Sequence, residues 1–424
     1  MGVNDPSTPN EKPATRWHIS MIPIYMAIGS PGTLAVLVAL SLGASVAEIG
    51  TMAASVAVAT FVFSTVWGRL SDFSGRRKRH LLFFFVALCP GFLALTMVNN
   101  VPQLLLFYTL LVVISSGIAP IAVMYTVECC KGMDWQGEVA KYNSITSIGN
   151  ILGLVAYSIG ARFYETRTLF YLSSTMCLVA ALLLWRMGQE PEITLERHPF
   201  PVRNLREAKS LLSPTIFIHY FDLRRFKSPK SLRQLSSLQL LLIAVFVHWV
   251  GMNFFGVGQT PLMKALGFSD SLILAINIGN SCASAVAFIW IAPRIKSNKI
   301  RLLSRVVVAR CCLILSWAAL PIFLSHPASF VFVFPLVTSI FINVFYAVIW
   351  LPITTFVISQ APSDRKGSVQ GELMSMMGAS TILGSVLGGL AITAYGYTVG
   401  FVAASMIALL ALPIISRINI IESN

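Results

Sequence analysis

The sequence predicts an all-α membrane protein with twelve transmembrane helices arranged as two six-helix halves. Of its 424 residues, 56% are hydrophobic and only 11% are charged, whereas soluble domains carry roughly 25% charged residues. The mean hydropathy of +0.75 agrees with this. Twelve apolar segments are long enough to cross a bilayer, and none alternates between apolar and polar residues as a barrel strand does. This composition excludes a disordered chain, a coiled coil, a disulfide scaffold and an ordinary cytosolic enzyme.

The twelve segments follow one another along the whole chain. Each has the length of about 20 residues that an α-helix needs to cross roughly 30 Å of hydrocarbon. The tenth is long enough to be tilted, and Pro335 and Pro352 can interrupt it. In order, the predicted segments lie at about 17–41, 46–69, 80–98, 102–128, 140–162, 168–187, 238–262, 270–292, 302–324, 328–359, 370–394 and 397–417.

The longest polar stretch, 188–237, divides the chain into an N-terminal half, 1–187, and a C-terminal half, 238–424. Within this central loop, 223–235 interleaves Arg and Lys with apolar residues. Two interpretations remain open: a surface helix bound to anionic lipid head groups, or a solvated linker. Pro229 would interrupt a helix there and therefore favours the linker.

Lysine and arginine are distributed unequally between the two sides of the predicted bundle. Twelve segments place both termini on one side, and 27 of the 31 basic residues fall on that side. Three fall on the other side, and Arg310 lies inside a segment. Because basic residues collect on the cytoplasmic side, this distribution predicts cytoplasmic termini, in a protein of the plasma membrane. The net charge of +14 then requires no nucleic-acid partner.

The sequence contains no motif of a disulfide scaffold, a metal-binding protein, an ATPase or an enzyme. The seven cysteines form no CxxC pair and lie mostly in or beside apolar segments, so we expect neither a disulfide framework nor a metal site. No phosphate-binding P-loop is present, so we expect no ATP hydrolysis and no cofactor. Catalytic Asp, Glu or His residues do not cluster at one membrane face, which argues against an enzyme. The expected partners are a small-molecule substrate and the lipid bilayer, and the expected state is a monomer.

One loop between the second and third segments combines glycines, an acid and several bases. At 68–79 the sequence reads Gly-Arg-Leu-Ser-Asp-Phe-Ser-Gly-Arg-Arg-Lys-Arg. Gly68 permits close approach of helices, and Gly75 permits a tight turn. Asp72 lies at the membrane edge, where an unpaired carboxylate is costly. Arg76, four residues on, can bind a carboxylate with two hydrogen bonds, and the remaining bases can anchor the loop to anionic head groups.

This loop resembles the signature loop of the major facilitator superfamily, G-x-L-[AS]-D-x-x-G-[RK]-[RK], and it follows the second of twelve segments, as in that family. The resemblance implies a conformational latch that also includes Arg77. In the outward-facing state Asp72 would meet the N-terminal end of the eleventh segment, near 367–371. Arg76 would meet an acid below the fourth segment, for which Glu128 is the natural residue. Positive-inside charge alone would explain neither the glycines nor Asp72.

The resemblance also implies that the first, fourth, seventh and tenth segments line a central cavity. Polar residues inside apolar segments are costly and usually face the bundle, and helical spacing places several of them on shared faces. They suit a neutral polar or amphipathic ligand, although the same residues could instead form hydrogen bonds between helices. The candidate cavity residues are Tyr25, Asn150, Tyr157, His248, Asn253, Gln259, Asn277, Asn280, Asn343, Tyr346 and Trp350.

Coupling to protons has two candidate residues. No carboxylate lies near the middle of a segment, so the candidates are His248, about halfway along the seventh segment, and Glu372, in the first turn of the eleventh. A neutral His248 that is hydrogen-bonded to a neighbour is the favoured alternative to a coupling role. Arg310 either extends to the cytoplasmic face or reaches the cavity and attracts anions.

These features predict a secondary active transporter that moves a small organic solute by alternating access. The well-formed signature loop favours export of an amphipathic compound, and import or uniport of a sugar or other metabolite is the alternative. Two departures weigh against a drug antiporter: Val113 stands where many family members carry arginine, and 149–153 lacks the proline of the antiporter signature. A receptor or scaffold without transport is a further alternative, against which the intact loop argues.

The charge distribution generates a test of the orientation. Single cysteines that replace Lys209 or Lys299 should react with a membrane-impermeant maleimide only from the cytoplasm, and one that replaces Lys264 only from outside. The measurement is labelling of intact and permeabilised cells, in a chain whose native cysteines have been replaced. Labelling of Lys209→Cys in intact cells would show that the orientation is reversed.

Overall fold

The computed structural model describes residues 16–129, 135–190, 237–291, 300–324, 330–360 and 366–423. Within these ranges the regular structure is helical and contains no strand, which confirms the all-α fold class. Some features of the sequence lie outside the described residues, namely residues 1–15, Cys130, Lys209, the segment 223–235 with Pro229, and Lys299.

The part of the chain before the central loop contains eight described helices. Short 3₁₀ turns at Arg16–Ser20 and Thr166–Leu169 precede the first and the last of them. The first predicted segment is broken at Ser30, and Pro31 begins the next helix, where its missing N–H leaves no hydrogen bond unmade. The helices are α1 (Met21–Gly29), α2 (Pro31–Ser41), α3 (Val46–Ser74), α4 (Arg77–Thr96), α5 (Val101–Ser115), α6 (Ile118–Cys129), α7 (Trp135–Gly160) and α8 (Phe170–Met187).

Six further helices are described after the central loop: α9 (Ser237–Ala265), α10 (Asp270–Val286), α11 (Ile300–Ser316), α12 (Phe330–Gln360), α13 (Lys366–Leu409) and α14 (Ala411–Ser423). The expected interruption at Pro335 and Pro352 is wrong, because α12 runs through both residues. Transmembrane helices tolerate proline, since neighbouring groups satisfy the freed carbonyls. Gly396, with a φ of 83°, breaks α13 between the eleventh and twelfth predicted segments.

Ten stretches of the described chain are long and apolar enough to cross a membrane. One of them, Gly371–Ile418, contains two predicted segments, one on each side of Gly396. Helix α7 also has the necessary length at 26 residues, but polar side chains such as Asn143 and Asn150 lie along it. With α7 counted and Gly371–Ile418 divided, the helices match the twelve predicted spans.

The described residues fall into two compact units. One unit contains the residues up to Val38 and those from Val62 onward in the N-terminal part, and the other contains 39–61 together with the C-terminal part. The division therefore falls within α2, after Val38, and within α3, after Phe61. The predicted halves 1–187 and 238–424, with the loop 188–237 between them, stay a prediction.

In the first unit, glycines let α7 approach the backbone of α1. A Cβ atom on Gly149 would lie 2.7 Å from the carbonyl oxygen of Ile22, and one on Gly153 would lie 2.6 Å from that of Met26. Any side chain at these positions would force the helices apart. Lipid tails are as apolar as leucine, so helices in a membrane associate through such close packing rather than through the hydrophobic effect.

In the second unit, glycines bring α13 against α9 in the same way. A Cβ atom on Gly388 would lie 2.6 Å from the carbonyl oxygen of Phe254, and one on Gly251 would lie 2.6 Å from that of Ala404. The N-terminal part of α3 joins this unit through Gly389, where a Cβ atom would lie 2.8 Å from the carbonyl oxygen of Val46. Both units therefore fix their polar side chains on closely packed pairs of helices.

Candidate functional site

The loop 68–79 turns sharply between α3 and α4. Helix α3 ends at Ser74, Gly75 follows with a φ of 69°, and α4 begins at Arg77. A residue with a Cβ atom would be strained at that φ, so the expected turn at Gly75 is present for the expected reason. The Gly75 N–H donates to the carbonyl oxygen of Ser71 at 3.0 Å, which closes the end of α3.

Arg77 is the centre of a charged network beneath this turn. Its guanidinium is buried, with 4% of the side chain exposed, and Nη2 donates to Asp72 Oδ1 at 2.8 Å. Nε lies 2.7 Å from Glu128 Oε1, and Nη1 donates to Ser71 Oγ at 3.2 Å. One buried cation thus pairs with two carboxylates. Glu128 is as buried as Arg77, whereas 63% of the Asp72 side chain is exposed.

The predicted pairing of Arg76 with Glu128 is wrong, because Arg77 forms that ion pair. Arg76 occupies the N-cap position of α4, and its side chain is exposed. Its carbonyl oxygen accepts a hydrogen bond from His80 Nδ1 at 2.9 Å. Gly75 reverses the chain, so Arg77 points back into the unit and Arg76 does not. The expected close helix approach at Gly68 is not seen among the described residues, since a Cβ atom there would meet none of their atoms within 4 Å.

Sequence reasoning missed a buried contact beside Glu128. The 3₁₀ turn at the start of the described chain inserts Trp17 and His18 against α6. The Trp17 ring centroid lies 4.4 Å from that of Tyr125, and His18 Nε2 lies 3.3 Å from Thr126 Oγ1. The signal in the sequence was an aromatic pair at the boundary between a polar tail and an apolar segment. This contact fixes the end of α6 that carries Glu128.

The candidate cavity residues of the first unit form hydrogen bonds between helices. Tyr25 and Tyr142 share a hydrogen bond of 3.0 Å between their hydroxyls, and Ser30 Oγ donates to Asn150 Oδ1 at 3.3 Å. The Tyr157 hydroxyl donates to the carbonyl oxygen of Met26 at 3.1 Å, and the residue is only 1% exposed. Tyr157 is therefore closed to a ligand in this structure, and these three residues fit the alternative interpretation of interhelical bonding.

The corresponding amides of the second unit are mostly half-buried. Asn253 Nδ2 donates to the carbonyl oxygen of Trp249 at 2.8 Å, and Asn343 Nδ2 donates to that of Ser339 at 2.9 Å, both within their own helices. Asn280 is buried, and no hydrogen-bond partner for its Oδ1 occurs among the described residues. The half-buried positions are Asn253, Gln259, Asn277, Asn343 and Glu372. Glu372 was expected in the first turn of its helix. Because α13 begins at Lys366, Glu372 lies in the second turn.

The second unit contains a buried cluster of one cation and several aromatic rings. Arg310 Nη1 lies 3.3 Å from His248 Nε2, and both side chains are buried. The guanidinium carbon of Arg310 lies 5.8 Å from the centre of the Tyr346 ring. The Tyr346 and Trp350 rings are parallel at 6.3 Å, and Trp249 packs against both. Arg310 therefore points into the unit and does not extend to the membrane surface.

No group of three or more His, Cys, Asp or Glu residues in the described ranges is arranged to hold a metal ion. The polar arrangements described above are the Arg77 network, the interhelical hydrogen bonds of the first unit and the Arg310 cluster of the second.

The comparison with family models matches residues 18–371 to the Major Facilitator Superfamily, which is more than half of the chain. Solved structures share its fold at low sequence identity. The nucleoside transporter NupG has a TM-score of 0.70 at 14% identity, with 97% of this chain and 98% of that chain covered. The human organic anion transporter MFSD10 (TETRAN) has a TM-score of 0.63 at 14% identity, with coverage of 96% and 100%.

A third similar structure is the POT family transporter PepTSo, with a TM-score of 0.70 at 10% identity and coverage of 97% of this chain and 98% of that chain. A search of curated proteins finds no significant match. The family match extends from the 3₁₀ turn that carries His18 to the start of the eleventh span, and it includes the whole Arg77 network. The chain belongs to the Major Facilitator Superfamily.

Proposed function

We propose that this protein is a secondary transporter that carries a small organic solute across the membrane by alternating access, and that it is not an enzyme. The observation that supports this most is the network of Arg77, Asp72 and Glu128 beneath the turn at Gly75. A buried charge is costly in a membrane protein, so its presence usually marks a functional element. The network stands in the signature loop of a transporter family, where it can control the relative stability of two conformations.

The unequal burial of the two carboxylates assigns them different roles. Arg77 and Glu128 are both buried, so separating them costs more than separating Arg77 from the exposed Asp72. Asp72 is mostly exposed, and it can leave Arg77 while Arg77 remains paired with Glu128. We therefore propose that Asp72 is the mobile member of the latch. In the outward-facing state it exchanges Arg77 for the positive N-terminal end of α13.

The proposed cargo is an amphipathic organic compound, and the proposed direction is export. Half-buried amides and aromatic rings suit such a molecule, and the proteins of similar structure include a nucleoside transporter, a peptide transporter and an organic anion transporter. Import or uniport of a sugar or another metabolite is the alternative. The charge distribution supports an orientation with both termini in the cytoplasm, and we propose further that the protein is a monomer of the plasma membrane.

Transport by purified protein in sealed liposomes tests this proposal. Proteoliposomes loaded with a panel of labelled nucleosides, peptides, sugars and organic anions are measured with and without an imposed pH gradient. At least one compound should cross faster than in protein-free liposomes, and unlabelled compound on the opposite side should accelerate its exchange. Specific binding without any flux across the whole panel would instead identify a receptor or scaffold.

Proton coupling has a test in two substitutions. His248→Gln should abolish transport driven by the pH gradient but leave binding measurable if His248 carries the coupling proton. Glu372→Gln should do so instead if the carboxylate carries it. The measurement is flux at fixed substrate concentration across imposed gradients. Unchanged pH dependence in both variants would exclude both residues and would indicate a uniporter or another coupling ion.

The latch has a test in Asp72→Asn. Because Asp72 is mostly exposed, its ion pair is worth about 1 kcal/mol or less, so the variant should fold normally. Loss of the charge that meets α13 should shift the conformational ratio roughly fivefold towards the inward-open state and should slow turnover strongly. Distance distributions between spin labels at Phe73 and Met374, both exposed, measure the shift.

Two further variants serve as controls for the latch. Glu165→Gln removes an exposed carboxylate that lies 4.0 Å from Arg167 and should leave the distance distribution unchanged. Arg77→Gln breaks the buried ion pair with Glu128 and should lower the free energy of unfolding by about 3 kcal/mol or more. An unchanged distance distribution and normal flux in Asp72→Asn would show that the loop acts only as positive-inside charge.

A further inference from the structure

The side chain of Arg310 is buried in the second unit with 7% of the residue exposed. Its Nη1 donates to His248 Nε2, which must accept, because a guanidinium carries hydrogen-bond donors only. An accepting Nε2 carries no proton, so His248 is neutral in this arrangement. The pair therefore has a net charge of +1 inside an apolar helix bundle.

Arg310 has no carboxylate partner in the part of the chain that the structure describes. Its Nε–H is buried and has no acceptor among the same residues. Arg77, the other buried arginine, differs in having two carboxylates within 3 Å. A buried cation without a counter-charge is costly, and its retention indicates a functional role. An anion would supply both the counter-charge and an acceptor for this N–H.

Aromatic rings surround the cation on the side of α12. Tyr346 lies over the guanidinium carbon at 5.8 Å, where the face of an aromatic ring attracts a cation. The Trp350 ring is parallel to that of Tyr346, with an angle of 8° between their planes, and both residues are half-buried. Together they offer a planar apolar surface next to a positive charge.

A narrow cleft of about 10 Å³ adjoins His248 between α9, α11, α12 and α14. Of the side chains that line it, His248 alone is polar, and the others include Trp249, Val307 and Ile353. The surroundings of the Arg310–His248 pair are thus aromatic or aliphatic on each of these helices. A buried cation among apolar side chains favours a ligand that is charged at one end and apolar over the rest of its surface.

We propose that Arg310 binds the anionic group of the transported solute, and that the planar apolar body of the solute lies against Tyr346 and Trp350. The ligand class is an organic monoanion, such as an aromatic carboxylate or sulfonate. His248 acts as a positioning residue that holds the guanidinium by accepting one of its hydrogen bonds. This inference rests on the proposed function, because it names the class of cargo.

A structural role for Arg310 makes the opposite prediction. If the guanidinium only joins α9, α11 and α12 through His248 and Tyr346, its removal should lower stability, and the charge of a ligand should not matter. Preference for a charged ligand over a neutral one of the same shape separates the two accounts.

The test uses matched probes that differ in charge and hardly in shape: 2-naphthoate against 2-naphthamide, and toluenesulfonate against toluenesulfonamide. Binding to the full-length protein in a neutral detergent is measured by isothermal titration and by the shift in melting temperature. We expect at least one anion to bind about tenfold or more tightly than its amide, because hydrogen bonds from a buried cation to an anion are strong. Arg310→Gln should abolish the preference, and Arg310→Lys should retain part of it.

Three further variants keep the result interpretable. Arg305→Gln removes an exposed arginine from the same helix and should leave the preference unchanged. His248→Gln keeps a hydrogen-bond acceptor and should keep the preference, whereas His248→Leu should reduce it. Trp350→Leu should weaken the anion and the amide alike. If Arg310→Gln does not fold, the wild-type preference together with its reduction in Arg310→Lys and in His248→Leu carries the conclusion.

Two outcomes would overturn the inference. One is that no anion of the panel binds more tightly than its neutral counterpart. The other is that the preference survives in Arg310→Gln. Neither outcome would affect the transport proposal, because flux of a neutral compound in proteoliposomes would still identify a transporter. Absence of flux together with anion-selective binding would instead refute transport and leave the anion site in place.

Discussion

A buried charge in an apolar helix bundle needs a counter-charge, and the two buried arginines in the described part of the chain meet that requirement in different ways. Arg77 has one carboxylate more than it needs, so Asp72 can leave without exposing an unpaired charge. Arg310 has none among the described residues and is stabilised only by a neutral histidine and an aromatic ring. The second carboxylate at Arg77 supports a conformational role, and the lack of a carboxylate at Arg310 supports a role in binding an anion.

Close glycine packing makes both arrangements possible. Gly149 and Gly153 hold α7 against α1, and Gly388 holds α13 against α9, at distances that no side chain would permit. Close backbone contact of this kind is rigid, because a shift of a few tenths of an ångström already produces clashes or lost contacts. Polar groups on such helices keep their positions within each unit. The strength of an ion pair then depends on which charged groups the packing places opposite each other.

The sequence sufficed for the fold class and for the turn of the signature loop, because both depend on local features. Apolar length predicts spans, and Gly75 predicts a turn. The choice between Arg76 and Arg77 as the partner of Glu128 was missed, because it depends on how far the chain has rotated after that turn. The bonds of Asn150 and Tyr157, and the contact of Arg310 with His248, depend on which helix faces overlap. A single sequence does not contain that information.

The central claim is that the positive charge at Arg310 lacks a counter-charge which the cargo supplies. His248→Glu tests it most directly, because it places a carboxylate opposite the guanidinium, with His248→Gln as the uncharged control. The account predicts that His248→Glu melts at a higher temperature than His248→Gln in the absence of ligand, and that it no longer distinguishes 2-naphthoate from 2-naphthamide. A lower melting temperature together with an undiminished preference for the anion would contradict the account.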